Sequence, residues 1–290
     1  MSLFTPHQSV AQRVGTLAIG AALLFSQSGP VVAQMNHGGH NSVSASAPAS
    51  GTDKTILGEV IPFGNGTARS WVSVNQQGHP TAIGVTLTEA ALQGLAADVT
   101  PGLVWMAEYI LALPEEAKML PFNHIAVNWN PRGHDPSGVY NVPHFDFHFY
   151  LISREERMKI TARGEDLVKI RKPLGTGAIP EGYIFAPDSE EPGMGGHWAD
   201  PGSHEFHGKE FTSTFIFGSY DGKVIFWEPM ITKSYIESKQ NVTIPLKLPT
   251  QYAQEAYYPT SYSIRYDARR KEYTIALDGM KLRHQAVAAK

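Results

Sequence analysis

The sequence predicts a mainly β fold, that is, a β-rich α+β domain built as an antiparallel sandwich or barrel with a few short helices. Short segments alternate polar and apolar residues with a period of two, and Gly, Pro and Asn turn signals separate them. The chain lacks the strand–helix–strand alternation of parallel α/β folds. With 290 residues, 42% of them hydrophobic, it is long enough to bury a substantial core.

The predicted strands begin near Ile56 and follow one another closely. Residues 70–75 and 82–88 alternate on either side of the turn signal QQGHP, and Thr88 is a suitable N-cap for a short helix over residues 88–97. The next three strands are predicted over residues 108–114, 124–129 and 144–152. A Pro- and Gly-rich loop, NPRGHDPSGVYNVP, lies between the second and the third of them.

The second half of the chain begins with a capping box. Ser153 is followed three positions later by Glu156, which predicts a helix running to about Arg163. After a Gly- and Pro-rich stretch over residues 173–209, residues 213–229 form the clearest hairpin, because Asp-Gly at 221–222 suits a type I′ turn. The remaining predicted elements are a helix in ITKSYIES, an extended segment in VTIPLKL, and a second hairpin in YSIRYDARRKEYTIAL that turns around residues 268–271.

The N-terminal region has the composition of an export signal. Arg13 precedes an apolar run over residues 14–25 that is too short to span a bilayer, and VVA precedes a predicted cleavage site after Ala33. We therefore predict a signal peptide over residues 1–33, a flexible Ser-, Ala- and Gly-rich linker over 34–53, and a single β-rich domain over 54–285. The expected location is the periplasm or the outside of the cell.

Composition excludes several function classes. The formal net charge is −3 and no basic run occurs, which argues against binding to nucleic acid or to anionic membrane surfaces. No later apolar run approaches the ~18 residues of a membrane span. The chain contains no cysteine, so any metal ligand must be His, Asp, Glu or a carbonyl oxygen. A small polar ligand or substrate is the expected partner, and a homo-oligomer is left open.

The segment HFDFHFY holds the strongest candidates for a functional site. In a strand, alternate side chains share a face, so His144, Asp146 and His148 lie on one side, opposite three phenylalanines. Positions two apart are ~6.6 Å apart and can share one metal ion, whereas positions four apart, at ~13 Å, can do so only if the strand twists or bulges. Further ligands are expected from His197, in the glycine-rich GMGGHW, and from Glu228. In KVIFWEP, the alternation places Glu228 on one face with Val224 and Phe226, and Ile225 and Trp227 on the other.

Other interpretations of the same residues stay open. The polar face of HFDFHFY is also compatible with a strand face exposed to water or with a buried hydrogen-bond network. The cluster of His204, Glu205 and His207 fits a solvated surface loop, and His134 beside Asp135 fits a turn at the following proline. Two histidines of the linker, at 37 and 40, fit a solvated tail that binds copper or nickel only loosely.

Two functional hypotheses from different classes follow. The first is an exported metalloprotein that binds zinc or another divalent transition metal for hydrolytic or lyase-type chemistry; whether it is an enzyme is left open. In it, His144, His148 and His197 are metal ligands, and Asp146 and Glu228 are the candidate catalytic residues. Asp146 is either a ligand or a group that orients a histidine N–H, and Glu228 is either a ligand or the general base. The alternative is a non-catalytic, envelope stress-related protein that binds a ligand or a partner, for which the Tyr-rich residues 252–266 would provide a recognition surface.

Four motifs together resemble a known family. NWNPRGHDPSGVYNVPHFDFHFYLIS, PEGYIFAP, MGGHW and GSYDGKVIFWEPMITKSYI resemble, in this order, an exported bacterial family of the domain-of-unknown-function type DUF5602, which includes a Thermus protein under sigma-E control. The resemblance covers roughly residues 56–280. It implies a mainly β domain of unusual topology and no established activity. The H-F-H zinc strand of α-type carbonic anhydrases is only superficially similar, because the histidines here are four positions apart.

Overall fold

The architecture is two antiparallel β-sheets packed face to face. In the computed structural model, residues 53–97 and 107–285 are described, and their two large sheets stay open. This confirms the mainly β prediction, in its sandwich form. The signal peptide and the linker up to residue 52 lie outside the described residues and stay predictions. No helix within the described ranges is long and apolar enough to cross a bilayer.

The described residues contain fifteen strands and a few short helices. The strands are β1 (Lys54–Phe63), β2 (Gly66–Val74), β3 (Pro80–Thr88), β4 (Ala107–Ala112), β5 (His124–Asn130), β6 (His144–Tyr150), β7 (Ile184–Phe185), β8 (Gly196–Ala199), β9 (Ser213–Tyr220), β10 (Lys223–Thr232), β11 (Val242–Pro245), β12 (Ala256–Tyr258), β13 (Ser261–Asp267), β14 (Glu272–Asp278) and β15 (Lys281–Arg283). The helices are α1 (Arg154–Arg157), α2 (Asp166–Ile170) and α3 (Lys233–Glu237), with 3₁₀ turns at Glu89–Leu92, Glu115–Met119 and His204–His207.

The strands form two large sheets and one short ribbon. One sheet has six strands in the order β1-β2-β3-β14-β13-β11, and the other has seven in the order β4-β5-β6-β10-β9-β8-β7. A separate two-stranded ribbon joins β12 to β15. The six-stranded sheet depends on the antiparallel pairing of β3 with β14, in which Val85 lies opposite Ile275. Strands from the two ends of the described chain therefore meet at its centre.

The main core lies between the two sheets. The seven-stranded sheet contributes the phenylalanines of β6 and the aromatic residues of β9 and β10, and the six-stranded sheet contributes aliphatic residues of β2, β3 and β14. Fully burying each such side chain stabilises the fold by roughly 1.5–3 kcal/mol. Examples are Phe145, Phe147, Phe149, Phe217 and Trp227 on one side, and Val72, Ile83, Val85, Leu87 and Ile275 on the other.

The hairpin of β9 and β10 has the predicted turn. Asp221 and Gly222 both have positive φ, at 48° and 74°, which is the signature of a type I′ turn. The predicted alternation along β10 is wrong at its start, because a bulge interrupts the register between Val224 and Phe226. As a result Val224 packs toward the main core, while Ile225 and Phe226 both pack on the opposite side of the sheet.

The helix that begins at Ser153 is shorter than predicted. The capping box is present: the Ser153 hydroxyl accepts from the Glu156 backbone N–H, and the Glu156 carboxylate accepts from the Ser153 backbone N–H. However, α1 ends at Arg157 instead of continuing to residue 163. The carboxylate of Asp166 accepts hydrogen bonds from both the backbone N–H and the hydroxyl of Thr161, and these bonds replace helical pairing there.

Candidate metal centre

The candidate site lies on the face of the seven-stranded sheet that points away from the main core. Strand β6 is central in this sheet, between β5 and β10, and its alternation is as predicted. His144, Asp146 and His148 are 0%, 3% and 1% exposed, and the three phenylalanines of the strand pack into the main core on the opposite face. Exposure of the polar face to water, one of the alternatives raised by the sequence, is therefore excluded.

Two patches of apolar residues cover this polar face. At one end, Ile160 and Met194 pack against Tyr150 and Phe226 of the sheet. At the other end, Tyr140 packs with Phe211, Ile216 and Met230. The covering residues come from the segments between β5 and β6 and between β6 and β9, and two of them, Tyr140 and Met194, lie in stretches that the sequence marks as rich in Gly and Pro. Polar side chains between these patches are thus removed from water, so their charges need partners.

A first trio consists of His148, His197 and Glu228. One ligand atom from each residue lies within 4.8 Å of the other two. The register that pairs Phe226 with Tyr150 and Met230 with Asp146 places Glu228 opposite His148. Nε2 of His148 is 3.3 Å from Oε2 of Glu228, and both side chains are at most 2% exposed.

Glycines allow His197 to join this trio. His197 on β8 lies opposite Gly218 on β9, and Gly218 in turn lies opposite Phe226 on β10. A Cβ at Gly218 would be 1.9 Å from the Phe226 ring, so the ring occupies the space that any side chain at 218 would need. The Phe226 ring packs against both imidazoles, with centroid distances of 4.8 Å to His148 and 5.4 Å to His197.

A second trio consists of His134, His144 and Asp146. Their ligand atoms also converge within 4.8 Å. Nε2 of His144 is 3.2 Å from Oδ1 of Asp146, and Nε2 of His134 is 3.7 Å from Oδ2 of the same carboxylate. The Asn130 amide donates a 2.7 Å hydrogen bond to this Oδ2. The sequence-predicted ligands are thus distributed over two groups, because His144 and His148 lie four positions apart on one strand.

The tautomers of three of the four histidines follow from their hydrogen bonds. A main-chain carbonyl oxygen only accepts, so an Nδ1 atom beside one must carry the proton, and Nε2 then presents its lone pair unless the ring is charged. In metal sites, a hydrogen bond of this kind from the second ring nitrogen fixes the tautomer and the orientation of the histidine. The Nδ1 atoms of His134, His144 and His197 lie 2.7 Å from the carbonyl oxygens of Asp135, Val142 and Ser189, respectively.

The short contacts between histidine and carboxylate are not hydrogen bonds. Nε2 of His144, Oδ1 of Asp146, Nε2 of His148 and Oε2 of Glu228 are all buried without a hydrogen-bond partner. Two ligands held tetrahedrally at roughly 2.0–2.1 Å from zinc lie about 3.3 Å apart, which matches the observed 3.2 and 3.3 Å. A positive charge between each pair, either a metal ion or a proton, satisfies both atoms.

The electrostatics of the two trios differ. Burial lowers the pKa of His197, and this effect outweighs the opposing charge of Glu228, which favours the neutral imidazole that binds metals. Burial also acts to lower the pKa of His134, but Asp146 outweighs it and raises that pKa to about 9. Burial acts to raise the pKa of Asp146, yet His144 and His134 hold it well below its usual range.

Sequence reasoning missed two residues of this region. His134 was interpreted as part of a turn, and it reaches Asp146 because its loop folds back over β6. Glu205 was placed on a solvated surface, but it is 5% exposed and accepts a 3.1 Å hydrogen bond from the Tyr140 hydroxyl. Its neighbours His204 and His207 are exposed, as expected. The unusual density of histidine beside glycine was the available signal for His134.

The Tyr-rich segment does not form the recognition surface that the binding-protein hypothesis needs. Tyr252, Tyr258 and Tyr262 are buried in the main core, and Tyr257 and Tyr266 are half-buried against it. Their rings serve packing between the sheets. The high tyrosine content of residues 252–266, which was the support for the binding-protein hypothesis, is therefore explained by packing in the main core.

Comparison with known proteins gives one partial match. A family model described as TTHB210-like, after the hypothetical protein TTHB210, matches residues 75–129. The match runs from the end of β2 to Trp129 in β5, so it stops before every residue of both trios. No curated protein and no solved structure matches the chain. The chain is thus similar over this segment to a Thermus hypothetical protein, and the similarity carries no activity and no site residue.

Proposed function

We propose that this protein binds a divalent transition metal ion, zinc or an ion of similar preference, through His148, His197 and Glu228. The observation that carries the proposal is the unpaired, fully buried contact between His148 Nε2 and Glu228 Oε2 at 3.3 Å. A set of two histidines and one glutamate is a known donor set of catalytic zinc sites. His197, whose Nδ1 lies against the Ser189 carbonyl, directs its Nε2 lone pair into the same space.

The proposed chemistry is hydrolytic or lyase-type. His148, His197 and Glu228 would hold the ion, and the chemistry that it would supply there is that of a Lewis acid. Around it, Phe226 and Tyr150 exclude water from the buried side, and their rings pack against His148. His197 is half-buried, so a substrate would approach from its side of the trio. Glu228 acts in this proposal as a ligand, since its free oxygen is the atom that faces His148.

Metal titration tests the proposal. The protein, purified without a histidine tag and stripped with a chelator, is titrated with ZnCl₂ and CoCl₂ while bound metal and the cobalt absorption are measured. His197→Gln is expected to lose one tightly bound equivalent and to keep a normal circular dichroism spectrum. His204→Gln, which changes an exposed histidine, is the matched control and should bind as the wild type does. Undiminished stoichiometry in His197→Gln would reject this site.

Two control experiments complete the test. Replacing His37 and His40 with serine removes any metal binding by the linker histidines, and the tight equivalents should remain. Hydrolysis of a p-nitrophenyl ester is then compared between stripped protein, reloaded protein and reloaded Glu228→Gln. Activity that appears only in the reloaded wild type supports the hydrolytic proposal, and equal activity in all three samples contradicts it.

We propose further that the protein is exported, with cleavage after Ala33. The support is the order of Arg13, a short apolar run and the small residues before the predicted cut. The partial match over residues 75–129 supports the part of the resemblance that concerns a Thermus hypothetical protein, and membership of the DUF5602-type exported family over residues 56–280 is a proposal that rests on the four motifs. N-terminal sequencing of the protein from an envelope fraction should begin at Gln34; an intact Met1 in a cytosolic fraction would contradict export.

A further inference from the structure

We propose that His134, His144 and Asp146 form a second divalent metal site, separate from the first. It uses none of the three residues of the proposed first site, and its ligand atoms form their own group within 4.8 Å. Two imidazoles and one carboxylate suit zinc, iron or another divalent transition metal. The inference does not depend on the first site, and the two can be tested separately.

Both histidines of this trio are oriented for coordination. The Nδ1 atoms of His134 and His144 each lie 2.7 Å from a main-chain carbonyl oxygen, so in the neutral ring the Nε2 atoms carry the lone pairs. Nε2 of His144 has no hydrogen-bond partner although its side chain is fully buried. The two rings are nearly perpendicular, with centroids 4.6 Å apart, so the two nitrogens approach Asp146 from different directions.

Asp146 is held as a ligand rather than as a hydrogen-bond acceptor for His144. Its Oδ2 accepts from the Asn130 amide, which fixes the plane of the carboxylate. Its Oδ1 faces His144 at 3.2 Å and has no hydrogen-bond partner. A buried carboxylate oxygen and a buried imidazole nitrogen without hydrogen-bond partners are costly, and a cation bound between Oδ1 and Nε2 of His144 would give both atoms a partner.

The site would also fix the position of a loop. His134 lies in the segment that joins β5 to β6, whereas His144 and Asp146 are the first and third residues of β6. Val142 and Pro143 of the same segment line a cleft of about 490 Å³ together with Phe211, whose ring packs against His144. A metal ion at the trio would therefore link this wall of the cleft to the central strand of the sheet.

Metal stoichiometry in single variants tests the second site. Untagged, chelator-stripped protein with serine at positions 37 and 40 is titrated with ZnCl₂, and bound zinc is measured after gel filtration. The wild-type sites should hold two equivalents, His134→Gln one, His197→Gln one and the double variant none, with His204→Gln as a control that keeps two. His134 is half-buried on a loop, so its replacement is expected to leave the circular dichroism spectrum unchanged.

Each outcome separates the second site from the first. Two equivalents in His134→Gln, or one equivalent in wild type that disappears only in His197→Gln, would overturn the second site and leave the first intact. One equivalent that disappears only in His134→Gln would reject the first site and support the second.

Hydrogen exchange tests the second site independently of stoichiometry. Zinc should slow exchange of amides in residues 131–143 of the wild type and of His197→Gln, but not of His134→Gln. Equal exchange with and without zinc in His197→Gln would also overturn the proposal.

Discussion

Replacing Gly218 with alanine adds a methyl group where the Phe226 ring already lies. An ideal Cβ at this position would be 1.9 Å from the ring, so either the ring or strand β9 must move. Overpacking of this kind costs typically 1–3 kcal/mol. For a domain of this size, that loss lowers Tm by roughly 2–12 °C. Because Phe226 packs against His148 and His197, the same displacement should weaken zinc binding at the first trio.

Gly175 provides the matched control. It is exposed, and an added Cβ would meet nothing within 4 Å. Gly175→Ala should therefore be neutral or stabilising by up to about 1 kcal/mol, since alanine restricts the unfolded chain. Urea unfolding of both variants in the presence of a chelator measures the difference without a contribution from metal. A Gly218→Ala protein as stable as Gly175→Ala would refute the argument that the Phe226 ring needs a glycine opposite it.

Three further predictions concern the hairpin, the core and an ion pair. Gly222→Val places a β-branched residue at a φ of 74° and should destabilise the fold by about 1–2 kcal/mol or more in urea unfolding; an unchanged midpoint would contradict this. Phe147→Ala should cost about 3–5 kcal/mol, whereas Phe206→Ala, at an exposed position, should cost far less. Burial acts to raise the pKa of Glu108, but its hydrogen bond and charge contact with Arg157 outweigh this and hold it below the usual 4.5. The stabilisation lost in Glu108→Gln should therefore be constant above about pH 5 and shrink as the pH falls below 4.5; a difference that does not change with pH would contradict it.

The parts of the fold that depend on local sequence could be predicted. Alternation with a period of two identified the central strands, since each has one face on the main core. Asp-Gly at 221–222 identified its turn because few residues accept positive φ at both positions. The helix after Ser153 was overestimated because its end is set by Asp166, whose bonds to Thr161 have no local sequence pattern.

The arrangement of the site could be predicted only in part. The strand pattern placed His144, Asp146 and His148 on one face, and the glycines around His197 indicated a close approach. Their division into two trios depends on which strands pair, because the register of β10 on β6 sets Glu228 opposite His148. The contribution of His134 depends on the path of a loop, which residue spacing does not determine.

The pairing of β3 with β14 has a consequence for how the chain folds. Val85 can meet Ile275 only after the chain between them has been made, so the centre of the six-stranded sheet cannot form while β14 is missing. Pairings between residues so distant in sequence carry a large loop-closure cost and slow folding. Until β14 arrives, β3 keeps an open edge that can pair with other chains. Strands β1 to β3 must therefore stay soluble without their final partner until β14 is available to pair with them.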